Sequence, residues 1–239
     1  MCSELGTQVN QEGFAVIPGV FSFEEVQQIL TSLESVSGAN DRRRKGGMRN
    51  LLESAESIRY LATSPPVKAL VTPILGPDAF PVRAILFDKV PEANWKVPWH
   101  QDLSIAVCEK IHIEGFGPWS TKAGILHVQP PVDVLENMLA VRVHLDECDE
   151  SNGPVRVIPR THIHGRIPEG KIESLARNAS VECLVSSGGV LLMKPLLLHA
   201  SSPAQSPKHR RVIHIEYASM CLPGGLRWSA QSFLRSAGS

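Results

Sequence analysis

His100 and Asp102 stand two residues apart in PWHQDLSIAV (98–107). On an extended strand such residues project from one face, so an imidazole and a carboxylate can reach the same ion. A second histidine would complete a set of two His and one carboxylate on one face of an octahedron. That set leaves three positions open and is the donor set of non-haem iron(II) oxygenases. His-x-Asp alone arises by chance in about one of four chains of this composition, so the weight falls on the residues that could join it. His199 closes the apolar run in LLLHASSPAQSPKHRR (196–211), and Arg210 comes eleven residues later, at the opening of the strand that continues as RVIHIEYAS (211–219). A guanidinium fixed on a strand takes a carboxylate bidentately, which is what the distal carboxylate of 2-oxoglutarate needs. Ser201, two residues past His199, is placed to share it. Alone, His199 reads as a core histidine; the combination makes His100, Asp102 and His199 candidate metal ligands.

Such residues need strands to carry them. From about residue 77 the chain breaks into short β-branched segments: 79–90, 138–147, 154–159, 180–186, 189–200 and 211–219, separated by Gly, Pro, Asn or Ser. That punctuation predicts antiparallel pairing rather than alternating βα units. Before Gly76 the pattern is helical. Ser22 and Glu25 form a capping-box pattern with Phe21 and Val26 as its staple, and Val26, Ile29, Leu30 and Leu33 recur at helical spacing. Further helices are expected over 54–61 and 66–75, the second with Ser64 as N-cap and Pro65 and Pro66 in its opening positions. Residues 37–48, Gly-rich and basic, read as a mobile loop. The expected architecture is mainly β with N-terminal helices, a double-stranded β-helix of the jelly-roll or cupin kind. It forms one domain over 1–239, helical to about residue 76, with a β core over about 77–220. The stretch 103–137 is too long and too rich in Gly and Pro for a simple hairpin and reads as a functional loop or lid.

Bulk properties narrow the function. Basic and acidic residues number 24 each, which removes the electrostatic reason to expect nucleic acid or a membrane surface as partner. A small-molecule substrate is the better expectation. Five cysteines without a CxxC pair read as reduced thiols in a cytoplasmic protein. The opening MCSELGTQVNQEGFAV lacks the pattern of a signal peptide, and no apolar run approaches the ~18 residues of a membrane span.

Three segments resemble the phytanoyl-CoA dioxygenase family. PWHQD is similar to its first metal-ligand segment, and DESNGPVRVIPRTHIHG (149–165) to its Asn-Gly turn, strand and Pro-x-Ser/Thr-His sequence. HASSPAQSPKHR (199–210) resembles its distal His, small residue, Ser and spaced Arg, with weaker similarity in QEGFAVIPGVFSFEEV (11–26). The resemblance implies Fe(II), with 2-oxoglutarate and O2 as cosubstrates, and oxidation of an unactivated C–H bond with release of succinate and CO2. It implies that His100, Asp102 and His199 bind iron, and that Arg210 and Ser201 hold the distal carboxylate of 2-oxoglutarate. Halogenating relatives carry Gly or Ala at the carboxylate position, so Asp102 points to hydroxylation. PRTH replaces the usual Pro-Gly-Ser-His. The 103–137 stretch has no counterpart in the fatty-acyl enzyme that names the family, so that enzyme's substrate does not transfer.

Arg142 and Arg49 are candidates for an anionic group on the substrate, and Trp95 and Trp119 for the rim of its site. His162 and His164 read as turn histidines, His214 as a core histidine, Trp99 as packing, and RRRK (42–45) as a solvated loop. The rival reading is a cupin-like metal-binding protein without oxygenase activity, or a metal-dependent isomerase or hydrolase. Zinc accepts the same donors, but a plain metal-binding cupin has no use for Arg210.

Overall fold

The computed structural model describes residues 2–37, 47–177, 179–205 and 208–230. Helix α1 (Cys2–Glu12), strand β1 (Phe14–Ile17) and helix α2 (Phe23–Ser37) come first, followed by β2 (Gly47–Met48) and helices α3 (Leu51–Ser54), α4 (Glu56–Thr63) and α5 (Pro65–Leu75). Strands β3 (Phe80–Lys89), β4 (Val97–His100), β5 (Ile105–Val107), β6 (Trp119–Lys122) and β7 (Ile125–Val128) lead to α6 (Val132–Glu136) and β8 (Met138–His144). Then come β9 (Val155–Val157), α7 (Glu169–Ala176), β10 (Val181–Cys183), β11 (Val190–Met193), β12 (His199–Ser201) and β13 (Arg210–Ala218).

The strands form a six-stranded sheet in the order β1-β11-β8-β13-β3-β2, a four-stranded sheet β10-β9-β12-β4 and a three-stranded sheet β5-β7-β6, with every pairing antiparallel. The chain passes between the first two sheets as a double-stranded β-helix requires. The single apolar run 189–200 shows how. It is not one strand: β11 ends at Met193, a turn at Pro195 and Leu196 intervenes, and β12 begins at His199 in the opposite sheet.

Every residue of β8 is buried because both faces of the large sheet are covered. On the outer face, Leu139, Val141 and Val143 join Ala84, Leu86, Ile213, Ile215 and Tyr217 in one cluster with the apolar stripes of the helices. Tyr217 fastens the layers by donating its hydroxyl to the Ala62 carbonyl at 2.7 Å. Alternation then sends Arg83, Ile85 and Phe87 of β3, Arg142 of β8, and Arg210, His214 and Glu216 of β13 inward to a common cavity. The sheet therefore separates an apolar outer layer from a charged interior.

The capping box at α2 forms: the Ser22 N–H donates to Glu25 Oε2 at 2.7 Å and the Glu25 N–H to Ser22 Oγ at 3.2 Å. Helix α4 runs two residues beyond the expected end at Leu61 and is preceded by a separate turn, α3. Ser64 stands before α5 as expected, but its hydroxyl donates back to the Leu61 carbonyl rather than capping α5. The 37–48 loop lies mostly outside the described residues. The 103–137 stretch is not a bare loop. It holds β5 and a hairpin of β6 and β7, turned at Ala123 and Gly124, both with positive φ. Strands of three or four residues leave too short a pattern for periodicity to register.

Candidate active site

Strands β4 and β12 pair so that His100 and His199 are register partners. Strand β4 ends at His100, and Asp102 lies just beyond it, its N–H bonded to the Pro195 carbonyl at 2.9 Å. Gln101 between them turns the other way. Its amide donates to the carbonyls of Gly165 and Leu196 at 2.8 and 2.6 Å, and its oxygen accepts from the Ile167 N–H at 2.8 Å. That three-point anchor keeps His100 and Asp102 on one side although the strand has ended.

One donor atom from each of His100, Asp102 and His199 lies within 4.8 Å of the others. Asp102 Oδ1 is 3.8 Å from His100 Nε2, and Oδ2 is 3.7 Å from His199 Nε2. Each imidazole is oriented from behind: Nδ1 of His100 donates to the Pro98 carbonyl and Nδ1 of His199 to the Leu197 carbonyl, both at 2.9 Å. Those bonds fix the tautomer and leave both Nε2 lone pairs aimed at the shared point, as a metal ligand needs. Burial pushes the His199 imidazole down to about 4 from its ordinary 6.5, against the pull of Asp102. The ring is thus neutral at physiological pH. Enclosure alone would raise Asp102, but His199, His214, His100 and Arg142 outweigh it and hold the carboxyl below its usual range. His199 and Asp102 are thus in the protonation states that metal binding demands.

The cavity that opens on these three residues has a volume of about 240 Å³. Its walls carry five cationic side chains, Arg49, Arg83, Lys122, Arg142 and Arg210, against two carboxylates, Asp102 and Glu216. The cations divide by exposure. At the inner end Arg210 and Arg142 are buried, and Lys89, the register partner of Arg210, is fully so. Lys89 Nζ donates to Ser201 Oγ at 3.3 Å and to the Ser202 carbonyl at 2.5 Å. Burial and the charge of Arg210 bring this amine down to about 8. Arg210 donates through Nη1 to the Gly153 carbonyl, while its Nε and that of Arg142 are buried without a hydrogen-bond partner among the described residues. Gly153 permits that contact: at φ 64° it lies so close to the Ser202 carbonyl that a Cβ would sit 2.4 Å from the oxygen. Buried guanidinium donors left unpaired beside a lysine and a serine hydroxyl suit a carboxylate end.

A hydrogen-bonded chain runs from this end along the wall. Arg142 Nη1 donates to His214 Nδ1 at 3.1 Å, and His214 Nε2 faces Glu216 Oε1 at 3.4 Å. Arg83 Nη1 reaches the same oxygen at 2.9 Å. Burial alone would raise Glu216, but Arg83 and His214 keep it ionised, below the usual carboxylate value. Beyond Arg83 lies the mouth, with Lys122 and Arg49, both exposed. Lys122 Nζ donates to Ser104 Oγ at 2.9 Å.

The structure gathers His100, Asp102, His199, Ser201, Arg210, Arg142, Arg49 and Trp95 around this one cavity. Arg142 belongs to its buried wall beside Arg210 rather than to its mouth. Trp95 stands near Lys89, whose Nζ is 5.8 Å from its ring centroid. Trp119 does not line the cavity. It packs on the apolar cluster of Ile105, Val128 and Trp228, because β6 turns that side chain away from Lys122. Arg211 points outward, as alternation requires, onto Asp146 at 2.7 Å. His214, read from sequence as a core histidine, is buried but faces the cavity. His162 is a turn histidine whose Nε2 bonds to the Asn10 carbonyl at 3.0 Å. Sequence reasoning missed Lys89, Arg83 and Glu216, although period-two counting along 79–90 puts Arg83 and Lys89 on one face. It also missed Lys122, which no repeat within 103–137 could reveal.

A family model described as Phytanoyl-CoA dioxygenase (PhyH) matches residues 9–212. A search of curated proteins finds no significant match. Among solved structures, the chain is similar to the non-heme alpha ketoglutarate dependent carbocyclase SnoK from nogalamycin biosynthesis, with a TM-score of 0.70 at 15% identity over 99% of this chain and 90% of that one. It is similar to HygX from Streptomyces hygroscopicus with nickel and 2-oxoglutarate bound, with a TM-score of 0.67 at 17% identity over 90% and 86%. The ThoJ non-heme monooxygenase gives a TM-score of 0.68 at 21% identity over 94% and 79%. These likenesses carry the fold.

Proposed function

The chain belongs to the phytanoyl-CoA dioxygenase family, and from that premise we propose that it is an Fe(II)- and 2-oxoglutarate-dependent dioxygenase. In this reading a single domain spanning the chain hydroxylates a C–H bond of a small or medium-sized polar, anionic substrate, with release of succinate and CO2. The observation that carries the reading is the pairing of a donor triad with an unsatisfied cationic end in one cavity. His100, Asp102 and His199 bind the iron, and Arg210, Ser201 and Lys89 hold the distal carboxylate of 2-oxoglutarate. When bound, iron, 2-oxoglutarate and O2 supply the oxidising chemistry. The protein orients both imidazoles through Nδ1 and keeps Asp102 ionised. The cavity volume falls below the ~300–1,000 Å³ of drug-sized ligand sites, which favours a small substrate over a long acyl-CoA. No helix among the described residues is long and apolar enough to cross a membrane, and the balanced charge gives no reason to expect nucleic acid.

The test is succinate release by the purified protein with Fe(II), ascorbate and 2-oxoglutarate, first alone and then with a panel of small organic acids, phosphates and amines. Slow release that needs Fe(II), stops with a chelator and rises with one panel member supports the reading. Release indifferent to iron, or none with iron content confirmed, contradicts it.

A further inference from the structure

The mouth of the cavity carries more positive charge than the chemistry at its floor requires. A divalent iron and the dianion of 2-oxoglutarate cancel each other, so the charges they add do not touch the excess of wall cations over carboxylates. At the inner end, Arg210 lines the wall for the carboxylate that 2-oxoglutarate brings, with Lys89 fully buried behind it against Ser201. At the mouth nothing comparable answers Arg83, Lys122 and Arg49. Among the described residues Glu216 is the carboxylate there, and it is committed to Arg83 Nη1 at 2.9 Å and to His214 at 3.4 Å. Among the described residues Lys122 has only the neutral hydroxyl of Ser104, and Arg49 has no ion pair or hydrogen bond. Partial burial, with Arg83 and Arg49 nearby, lowers the Lys122 amine against the opposing pull of Asp102 and Glu216.

The local backbone builds this cluster. Gly47 lies against β3 so closely that a Cβ would stand 1.9 Å from the Leu86 carbonyl. Its pairing with Phe87 extends the sheet edge to Met48, which packs on the outer face, and the next residue, Arg49, lines the cavity. The β6–β7 hairpin delivers Lys122 from the opposite side, and Lys122 meets Ser104 only two residues beyond Asp102. The cluster is therefore next to the metal donors, on separate elements that converge.

We propose that Arg83, Lys122 and Arg49 form a second oxyanion site, built for a substrate that carries a phosphate-class dianion. The inference rests on the proposed dioxygenase reading and specifies its substrate class. Two uncompensated cations match the roughly −1.5 to −2 charge that a phosphate monoester bears at neutral pH, whereas a single carboxylate would leave one of them unanswered. Only Nη1 of Arg83 is engaged by Glu216, so its remaining donors can reach an anion's oxygens. Because Ser104 ties Lys122 to the Asp102 segment, the carbon to be oxidised lies near the phosphate in the substrate.

The test uses the whole protein loaded with stoichiometric Mn(II) and saturating 2-oxoglutarate, so that the inner end is filled. Inorganic phosphate and acetate are titrated in turn by calorimetry at constant ionic strength. One phosphate per chain, bound about tenfold or more tightly than acetate, is expected, since charge-assisted bonds to a second charge are at stake. Lys122→Ala and Arg49→Ala, both at exposed positions, each weaken phosphate by about tenfold with the 2-oxoglutarate affinity within about twofold of the parent and the same melting temperature. Phosphate affinity unchanged in both variants, acetate bound as well as phosphate, or phosphate that competes with 2-oxoglutarate would each overturn the proposal. A wild-type protein that fails to bind 2-oxoglutarate with Mn(II) contradicts the dioxygenase reading instead, and the substrate class falls with it.

Discussion

The two ends of the cavity are both cationic, yet they are built differently. At the inner end every cation is buried and tied to the frame: Lys89 to Ser201 and Ser202, Arg210 to Gly153, Arg142 to His214. They sit on long central strands, β3, β13 and β8, whose other face is packed on the helices. At the mouth Lys122 and Arg49 are exposed and come from a hairpin and from the chain just after a two-residue strand. A cosubstrate of fixed shape suits groups that cannot move, because pre-organised donors lose little freedom on binding. The exposed groups at the mouth keep the freedom to adjust to a substrate. The chain through His214 and Glu216 joins the two ends, and the metal donors stand between them.

The largest effect should come from the metal donors that separate the ends. His100→Ala, Asp102→Ala and His199→Ala should each lower iron-dependent succinate release by about three orders of magnitude or more, since a metal's charge stabilisation is worth several kcal/mol. Circular dichroism should stay unchanged, because β4 and β12 pair through their backbones. Near-normal turnover with normal iron content in any one of them would remove that residue from the set.

Next in size is the inner end itself. Arg210→Ala should weaken 2-oxoglutarate about ten- to more than a hundredfold, the worth of a charge-assisted pair. Arg211→Ala is its internal control. That side chain faces Asp146, so its loss should leave 2-oxoglutarate binding alone and cost at most about 1 kcal/mol of stability. A larger cosubstrate defect in Arg211→Ala would reverse the assignment of faces on β13.

A smaller effect should appear in the pH dependence of cosubstrate binding. Lys89 is brought to about 8 in the free protein by burial and Arg210, below the ordinary 10.5 of a lysine. A bound carboxylate favours the charged amine, so binding takes up a proton above that pH. The affinity for 2-oxoglutarate should therefore be level below pH 8 and fall towards tenfold per unit above it. The free fold runs the other way: the cost of a buried ammonium is present below pH 8 and relieved as the pH rises towards 10.5. Lys89→Met should flatten the binding profile. A profile unchanged by that substitution would show that Lys89 does not face the cosubstrate.

The same contrast explains what the sequence could reveal. The long strands of the inner end announced themselves through length, β-branching and alternation, so Arg210 and its outward neighbour Arg211 could be told apart from the pattern alone. The convergence of the three proposed metal donors was legible because His-x-Asp, a distal His and a spaced Arg sit on or next to paired strands. The mouth was not. Strand β6 spans four residues and β2 two, and Lys122 reaches the cavity only because its hairpin folds back, a tertiary event that leaves no periodic trace. Trp119 on the same strand misled for that reason: its place in the 103–137 stretch suggested a rim, but packing turned the ring into an apolar cluster. Asp102 lies past the end of its strand, held in place by the anchors of Gln101, which spacing alone does not show.

The central claim is that the triad and the inner end together form one 2-oxoglutarate site, and an anaerobic binding titration tests it most directly. Protein is titrated with 2-oxoglutarate in three states: wild type loaded with Fe(II), wild type metal-free, and Arg210→Ala loaded with Fe(II). One 2-oxoglutarate per chain is expected in the first state, with affinity lower by about tenfold or more in each of the others. Equal affinity with and without iron, or no loss on removing Arg210, would contradict it.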